Sequence, residues 1–404
     1  MEFWSDLLTL PHCAKGNSLL PAISKLQSGY NFASMRTTLL LAVLFAATTA
    51  NAQWEIQTSP TTADLHVIDT AGNGIAWAAG SDGTVLRTTD GGAHWLHCAM
   101  PLDAAKLDFR GIQAFDANTA IVMSTGKGAL SHLYKTTDAC KSWTLLFTNP
   151  NSDGSWDAMR FRSRTDGYVL GDPVDGHFIF GSPQDWTSTT DWKAQGDQYT
   201  QASLAAMDGV HTFAVSNSSL ALSSKDIHPD PRPEMWFGTS GPGGALLYYF
   251  VDKYSDVNPD DELADWHKVS VPIAGDDASS GIFSIAFKND AIGVAVGGNS
   301  QKPDDSAGTA AFSTDIGVTW QAAQTPPHGF RTAVAYDAAS NSWITVGPNG
   351  TDISTDDGRN WRALHSNPAL HEPADADRNW NALSLPLAVG PHGRIGKLRP
   401  AALK

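Results

Sequence analysis

The amino-acid sequence predicts an all-β protein, a seven-bladed β-propeller whose ring is closed by the N-terminal strand. A turn pattern of the form Ser/Thr-x-Asp-x-Gly-x-x-Trp recurs along the chain, as does a strand pattern resembling Gly-x-Ala-Val-Gly. Such recurrence is the signature of repeat folds, and units of roughly 40 to 55 residues with four strands match a propeller blade. The composition favours many short strands and turns, because the 404 residues include 36 Gly, 22 Pro and 14 Trp.

The turn pattern has the chemistry of a β-hairpin that joins the third and fourth strands of a unit. The Asp side chain caps backbone N–H groups, the Gly supplies a positive φ, and the Trp begins the next strand. Its clear copies span residues 88–95, 136–143, 313–320 and 354–361, with Cys140 in place of Gly in the second copy. The aspartates lie on the rims of separate blades, too far apart for joint catalysis, and are interpreted as structural. They are Asp90, Asp138, Asp315 and Asp356.

The number of tryptophans that begin a fourth strand indicates the number of blades. Six units end in such a residue, and the aspartate turn is degenerate in the third and fourth of these units. The six tryptophans are Trp95, Trp143, Trp192, Trp266, Trp320 and Trp361. The last unit, residues 380–398, lacks a fourth strand, whereas residues 54–58 resemble the fourth strand at 361–365. We therefore expect the N-terminal strand to complete the last blade and leave no open sheet edge. Six or eight blades are the alternatives.

The least regular region is residues 196–266. Here residues 207–210 and 212–215 are interpreted as early strands of the fourth unit, because short apolar runs are bounded by Gly, Asp and Asn. The whole of residues 53–404 is predicted to form one propeller domain without a linker.

The N-terminal residues predict export. Residues 35–52 combine a basic start, an apolar run and the small residues Ala50 and Ala52, which is the pattern of a cleaved signal peptide that leaves Gln53 first. The apolar run is short for a membrane span, so a retained anchor is the weaker alternative. Residues 1–34 are interpreted as an upstream translation-start artefact. We expect a secreted or periplasmic protein, in which Cys98 and Cys140 form a disulfide, with two buried free thiols as the alternative.

Charge and motif content exclude several classes of function. Removal of residues 1–52 leaves 24 basic and 40 acidic residues, a net charge of −16, which argues against nucleic acid or anionic lipid as a partner. The histidines show no metal-binding spacing, His365, His371 and Glu372 being the nearest to a cluster, and no nucleotide-binding motif is present. We expect a monomer without a cofactor, a metal or stable membrane insertion.

The repeated aspartate turns resemble the Asp-box (BNR) repeats that sialidases and several other propellers share. The chain as a whole resembles photosystem II stability/assembly factor-like propellers, including their relatives in non-photosynthetic bacteria. Residues 108–115, 171–176, 236–241, 281–287 and 346–350 carry this resemblance. It implies a docking platform for other proteins and no chemistry.

One alignment predicts a binding site at a mouth of the central channel. With Phe115, Phe161, Phe287, Tyr336 and Leu385 in register, the residues five positions earlier include two arginines and two tryptophans: Arg110, Trp156, Arg331 and Trp380. Arginine binds carboxylates in a fork and tryptophan offers a stacking face, so a ring of these residues would hold an anionic peptide, a sugar acid or a partner's acidic loop. The alternative is that each arginine pairs with a neighbouring aspartate and closes the channel.

Three further aspartates allow a catalytic hypothesis. Asp157, Asp172 and Asp175 could supply a general acid/base pair for glycoside hydrolysis, although Asp-Pro and Asp-Gly are also strong turn signals. A sialidase-like hydrolase would need a Tyr/Glu nucleophile, and only four glutamates follow residue 52. We therefore favour a non-catalytic scaffold that binds an unknown protein or anionic ligand, with a sialidase-like glycoside hydrolase as the alternative.

Overall fold

The computed structural model describes residues 53–181, 204–223, 232–252, 264–289 and 291–403, and this part of the chain folds as an all-β propeller of seven antiparallel sheets. Within each sheet the strands follow one another in chain order from the inside outward, except in the sheet that joins the two ends of the chain. The first strands of the blades contact their neighbours in a closed ring around a central channel. The predicted fold class and blade number are confirmed.

The first three blades follow the N-terminal strand β1 (Trp54–Ile56). Blade one contains β2 (Leu65–Gly72), β3 (Ile75–Gly80), β4 (Val85–Thr88) and β5 (Leu96–His97). Blade two contains β6 (Asp108–Ala114), β7 (Ala120–Thr125), β8 (His132–Thr136) and β9 (Thr144–Thr148). Blade three contributes β10 (Trp156–Phe161), β11 (Gly167–Val174) and β12 (His177–Gly181) within the described ranges. Trp192, predicted to begin its fourth strand, lies outside them.

The remaining blades complete the ring. Blade four contains β13 (Leu220–Leu222), β14 (Pro233–Gly238), β15 (Leu246–Asp252) and β16 (Ala264–Ser270). Blade five contains β17 (Ser280–Lys288), β18 (Ile292–Asn299), β19 (Ala310–Ser313) and β20 (Gln321–Ala322). Blade six contains β21 (Ala333–Asp337), β22 (Ser342–Gly347), β23 (Gly350–Ser354) and β24 (Arg362–Leu364), and blade seven β25 (Ala382–Ser384), β26 (Leu387–Val389) and β27 (Ile395–Leu398). Short 3-10 turns lie at Leu102–Ala104, Gly128–Leu130, Pro368–Leu370 and Pro400–Leu403.

The N-terminal strand closes the ring, as the sequence predicts. β1 pairs antiparallel with β27, Trp54 opposite Leu398, and becomes the outer strand of blade seven. The Trp54 ring packs 4.8 Å from that of Trp380, and its Nε1 donates to Thr351 Oγ1 at 3.2 Å. The first described strand is thus joined to both of the last two blades, which removes the free sheet edge that an open ring would expose.

The core is divided among the blade interfaces. Buried apolar side chains of the described residues form seven clusters, one between each pair of neighbouring blades. Trp77, Trp236 and Trp343 lie on the second strands and are completely buried there. Because flat sheets must bury both faces against their neighbours, the stability of the propeller is distributed around the ring.

The aspartate turns have one repeated hydrogen-bond pattern. Asp356 Oδ1 accepts from Ser354 Oγ and from the Asn360 backbone N–H, both at 2.9 Å, while Ser354 Oγ accepts from the Gly358 N–H at 3.1 Å. Gly358 has a φ of 80°, a backbone conformation that favours glycine. The corresponding aspartates in the other three turns accept the same two kinds of bond: Asp90, Asp138 and Asp315. All their side-chain bonds are local, in keeping with a structural role.

Blades one and two are also joined covalently. Cys98, just after β5, and Cys140, in the turn after β8, form a disulfide with a Cα–Cα distance of 5.5 Å. Cys140 adopts a φ of 60° at the turn position where the other three copies have glycine. Both residues are buried in the cluster between the two blades.

The region interpreted as early strands is built differently. Residues 207–210 and 212–215 form turns and loop with an isolated β-bridge at His211, so that interpretation is wrong, and β13 begins only at Leu220. Residues 211–219, the crossing segment, extend over the channel. Asn217 and Ser218 bond to the inner strands of blades two, three and five, whereas His211 and Ser219 bond to Ser240 and Gly238 of blade four.

Among the described residues, no helix is long and apolar enough to span a bilayer. The predicted leader, residues 1–52, lies outside the described ranges.

Candidate functional site

The crossing segment divides the central channel. Asn217 adopts a left-handed conformation with a φ of 61°; its Oδ1 accepts from Met159 N at 2.7 Å, and its Nδ2 donates to Ile112 O at 3.2 Å. Ser216 Oγ donates to Thr332 O at 2.9 Å, which ties the segment to blade six as well as to blades two and three. We call the end where the inner strands begin the start mouth, and the end where they finish the end mouth.

Ser218 extends the same network to blade five. Its Oγ donates to Ser284 Oγ at 2.8 Å, and its carbonyl accepts from Ile285 N at 2.8 Å. Ser284 Oγ in turn accepts from Val334 N at 3.0 Å, in blade six. A short run of small polar side chains thus bonds to four blades and anchors the floor of the channel to them.

The end mouth contains an open cavity of about 460 Å³. It is lined by the last residues of the inner strands and by the crossing segment. The side chains along its rim and walls include Asp69, Arg160, Leu222, Phe287, Tyr336 and Ser384. A second recess of about 360 Å³ shares Asp69, Arg160 and Leu222 with it and is also lined by Gln113 and Arg162. This volume is in the usual range of ligand pockets.

Arg160 supplies the positive charge of this cavity. It is partly buried in β10, and among the residues that the structure describes it has no hydrogen bond or ion pair from its guanidinium. The aligned positions of four other inner strands carry small residues, Ala114, Ala286, Ala335 and Ser384. One arginine therefore stands in a ring of small side chains, where it has room for an anion.

Asp69 lies beside Arg160 and is held from the opposite side. Its Oδ2 accepts from the Ala114 backbone N–H at 2.8 Å and from Gln113 Nε2 at 2.9 Å. Burial raises the pKa of the Asp69 carboxyl from 3.8 to about 6, although the charge of Arg160 and the bond from Ala114 oppose that rise. The Asp69 carboxylate, which would compete with an anionic ligand for Arg160, therefore titrates just below neutral pH.

The predicted ring of arginines and tryptophans lies toward the start mouth and is mostly closed. Trp156, Arg331 and Trp380 are at most 1% exposed, so these three side chains cannot reach a ligand in solvent as they are placed. Arg110 is partly exposed, and it pairs with Asp108 at 2.9 Å and donates to Ala214 O at 3.1 Å.

Arg331 is committed to a buried network. Its Nε donates to Asp352 Oδ2 at 2.9 Å, and further bonds reach Asn349 and Phe330 O. His328 Nδ1 lies 2.8 Å from the other Asp352 oxygen, and together these neighbours lower the pKa of Asp352 against the opposing effect of its burial. The alternative in which each arginine pairs with an aspartate describes both Arg110 and Arg331. The open cavity lies at the other mouth.

The candidate catalytic aspartates hold the crossing segment. Asp157 is 3% exposed; its Oδ2 accepts from Thr212 Oγ1 at 2.5 Å, and Asp172 Oδ1 accepts from Thr212 N at 3.1 Å. Burial and the nearby Asp172 charge raise the pKa of Asp157 well above its usual range. Asp175 has a φ of 51° in the turn between β11 and β12.

The described residues contain no group of three His, Cys, Asp or Glu side chains that could hold a metal ion. Glu372, one of the three residues nearest to a cluster in the sequence, instead accepts hydrogen bonds from the backbone of Gln53, Trp54 and Asn367.

Comparison with solved structures identifies propellers of the same fold. YCF48 bound to D1 peptide has a TM-score of 0.55 and 18% identity, over 86% of this chain and 97% of that one. YCF48 from Cyanidioschyzon merolae has the same TM-score and identity, over 87% and 100%. The GH74 xyloglucanase from Xanthomonas campestris has a TM-score of 0.55 and 16% identity, over 86% of this chain but 53% of the xyloglucanase. No protein-family model and no curated protein matches the sequence. At these identities the likeness establishes the fold, in agreement with the resemblance to photosystem II assembly factor-like propellers.

Proposed function

We propose that the protein is an exported, non-catalytic β-propeller that binds an acidic peptide segment of a partner protein at the end mouth. The observation that carries this proposal is Arg160, a guanidinium without a hydrogen-bonded partner among the described residues, in a cavity of about 460 Å³. A carboxylate in this cavity would receive a forked, charge-assisted hydrogen-bond pair from Arg160. The nearby Phe287, Tyr336 and Leu222 provide apolar walls for neighbouring peptide groups.

The comparisons support a peptide as the ligand. One of the similar propellers is YCF48 bound to D1 peptide, so a protein of this fold can present a peptide site. A floor held by several blades would also reduce the ordering cost of binding, because the cavity needs no rearrangement to accept a ligand.

The arrangement of carboxyl groups favours binding over glycoside hydrolysis. A retaining or inverting glycosidase places two carboxyl groups on either side of the bond that breaks. The end-mouth cavity is lined by a single carboxylate, Asp69, among the described residues. Asp157 and Asp172, two of the three aspartates of the catalytic hypothesis, are instead bonded to Thr212 of the crossing segment.

Export is the second part of the proposal. Its support is the signal-peptide pattern of residues 35–52 together with the Cys98–Cys140 disulfide, because such bonds persist mainly in oxidising compartments. We place the mature protein, residues 53–404, in the periplasm or outside the cell.

A binding screen tests the function. Acidic hexapeptides with free carboxyl groups and their amide counterparts are titrated into residues 53–404 by calorimetry. We expect an acidic peptide to bind and the Arg160→Gln variant to weaken that binding about tenfold, the loss of a charge-assisted pair of about 1.5 kcal/mol. Arg362→Gln removes an exposed arginine on β24 and serves as the matched control. Equal affinity in both variants would contradict the proposed site, and turnover of xyloglucan or of sialosides would overturn the non-catalytic assignment.

A further inference from the structure

A buried carboxylate without a cation lies at the closure of the ring. Glu372 is 6% exposed and follows the 3-10 turn Pro368–Leu370, between blades six and seven. Its Oε1 accepts from the backbone nitrogens of Gln53 and Trp54, the latter at 2.6 Å, and its Oε2 accepts from Asn367 N at 2.5 Å. None of the described Lys, Arg or His side chains forms an ion pair with it. Its hydrogen-bond donors among the described residues are three backbone N–H groups, none of which carries a formal charge.

The first of these donors coincides with the residue that signal-peptide cleavage would expose. Gln53 follows Ala52 directly, at the end of the small-residue pattern. Hydrolysis of the Ala52–Gln53 peptide bond adds water: the hydroxyl goes to the Ala52 carbonyl carbon and a proton goes to the Gln53 nitrogen. At neutral pH that nitrogen takes up a further proton and becomes an α-ammonium.

We infer that cleavage supplies a cation to this carboxylate, so that the new Gln53 α-ammonium forms a partly buried ion pair with Glu372. This inference rests on the proposed export. The hydrogen bond present before cleavage becomes charge-assisted after it, which strengthens a contact that already has the right position. Because Gln53 precedes β1 directly, the ion pair fastens the closing strand to the loop before blade seven. Ring closure is therefore stabilised by maturation.

The same contact protects the N-terminal residue chemically. An N-terminal glutamine cyclises when its neutral amine attacks its own side-chain carboxamide, forming a ring C–N bond while ammonia leaves. The reaction requires the deprotonated amine, and an ion pair with Glu372 raises the pKa of that amine. Glu372 should thus slow the formation of pyroglutamate in the mature protein.

A double-mutant cycle on protein with defined N-termini tests the inference independently of export. Chains beginning at Gln53 or at Ala50 are released from a scarless fusion, each with Glu372 or with Glu372→Gln, and their melting temperatures are compared. We expect the Gln53 chain to melt several degrees higher than the Ala50 chain, and the substitution to abolish this difference. An equal difference with and without the substitution would overturn the ion pair, even if the substitution destabilises both chains.

The pH dependence and the cyclisation rate supply two further readouts. The α-amino pKa is about 8 in an unfolded chain and is raised by pairing, so the extra stability is present at neutral pH and is lost as pH rises from about 8 through the folded value. Ammonia loss, followed by intact mass, should be several-fold faster in the Glu372→Gln chain that begins at Gln53. Glu55→Gln, which changes an exposed carboxylate of β1, should leave both readouts unchanged. A cyclisation rate unaffected by Glu372→Gln would contradict the pairing, whereas N-terminal sequencing of the exported protein tests the cleavage site separately.

Discussion

Replacement of Asp69 by asparagine should stabilise the propeller at neutral pH and leave its stability unchanged in acid. Burial beside the channel makes ionisation of this carboxyl unfavourable, and its pKa rises from 3.8 to about 6 although Arg160 lies nearby. The amide is nearly the same shape, and its oxygen can still accept from Ala114 N and Gln113 Nε2. The substitution therefore removes the charge while retaining the hydrogen bonds.

The magnitude follows from the two pKa values. A difference of one in pKa corresponds to about 1.4 kcal/mol, so the ionised carboxyl costs the native state at most about 3 kcal/mol. Since the side chain is only partly buried, we expect a gain of about 1–3 kcal/mol on substitution. The folded pKa lies above the unfolded value, so the cost is absent below the unfolded value of 3.8 and complete above about pH 6.

Urea unfolding at pH 4, 5, 6 and 7.5 measures this profile. The difference in unfolding free energy between Asp69→Asn and the parent should be near zero at the lowest pH, grow between the two pKa values and then remain constant. Asp153→Asn changes an exposed carboxylate and should show no such profile. A variant less stable than the parent at pH 7.5, or a difference that does not depend on pH, would refute the reasoning.

The substitution also tests the site itself, and other groups make separate predictions. Asp69→Asn should raise the affinity for an acidic peptide several-fold at pH 7.5, because the competing charge beside Arg160 is gone; calorimetry across pH 5 to 8 would then show that the parent binds more tightly below about pH 6 and the variant does not. Arg331→Met should cost about 3–5 kcal/mol by leaving Asp352 buried without its cation, and adding Asp352→Leu should recover most of the loss; no recovery in denaturant melts would contradict this account. Joint replacement of Cys98 and Cys140 by serine should cost about 2–4 kcal/mol, because the bond joins residues 42 apart; a reductant should then lower the melting temperature of the parent alone, and equal lowering in the variant would count against it.

The architecture could be predicted from the sequence because the motifs that specify it are local. Each aspartate turn contains its own acceptor, hydroxyl and left-handed position within eight residues, as residues 354–361 illustrate. The ring closure followed from the likeness of residues 54–58 to a fourth strand, and β1 does pair with β27. Local patterns of this kind specify a hairpin wherever they occur.

The structure of the crossing segment could not be predicted from the sequence in the same way. Val210, Phe213 and Val215 resemble a strand pattern, yet the segment is held by bonds to inner strands that are far away along the chain. Asn217 alone bonds to residues 58 and 105 positions earlier. No periodicity encodes contacts of this kind, so the sequence favoured strands where the fold has a channel floor.

The site illustrates the same limit. The alignment that placed Arg331 and Trp380 near one mouth could not show that neighbouring side chains bury them. The same alignment did contain a signal for the end mouth. One position before the aligned aromatic or leucine residue, Arg160 stands where the other four strands have a small residue. Asp69 has no equivalent signal, because its position beside Gln113 and Ala114 arises from packing of blade one on blade two.

Photo-crosslinking tests the location of the proposed site most directly. An acidic peptide from the binding screen, carrying a photoreactive group next to its carboxylate, is irradiated with residues 53–404, and the modified residues are identified by mass spectrometry. The account predicts modification at the end mouth, at Phe287, Tyr336 and their neighbours, with loss of labelling in Arg160→Gln. Labelling concentrated around Arg110 at the start mouth or on the outer strands, unchanged by that substitution, would contradict it.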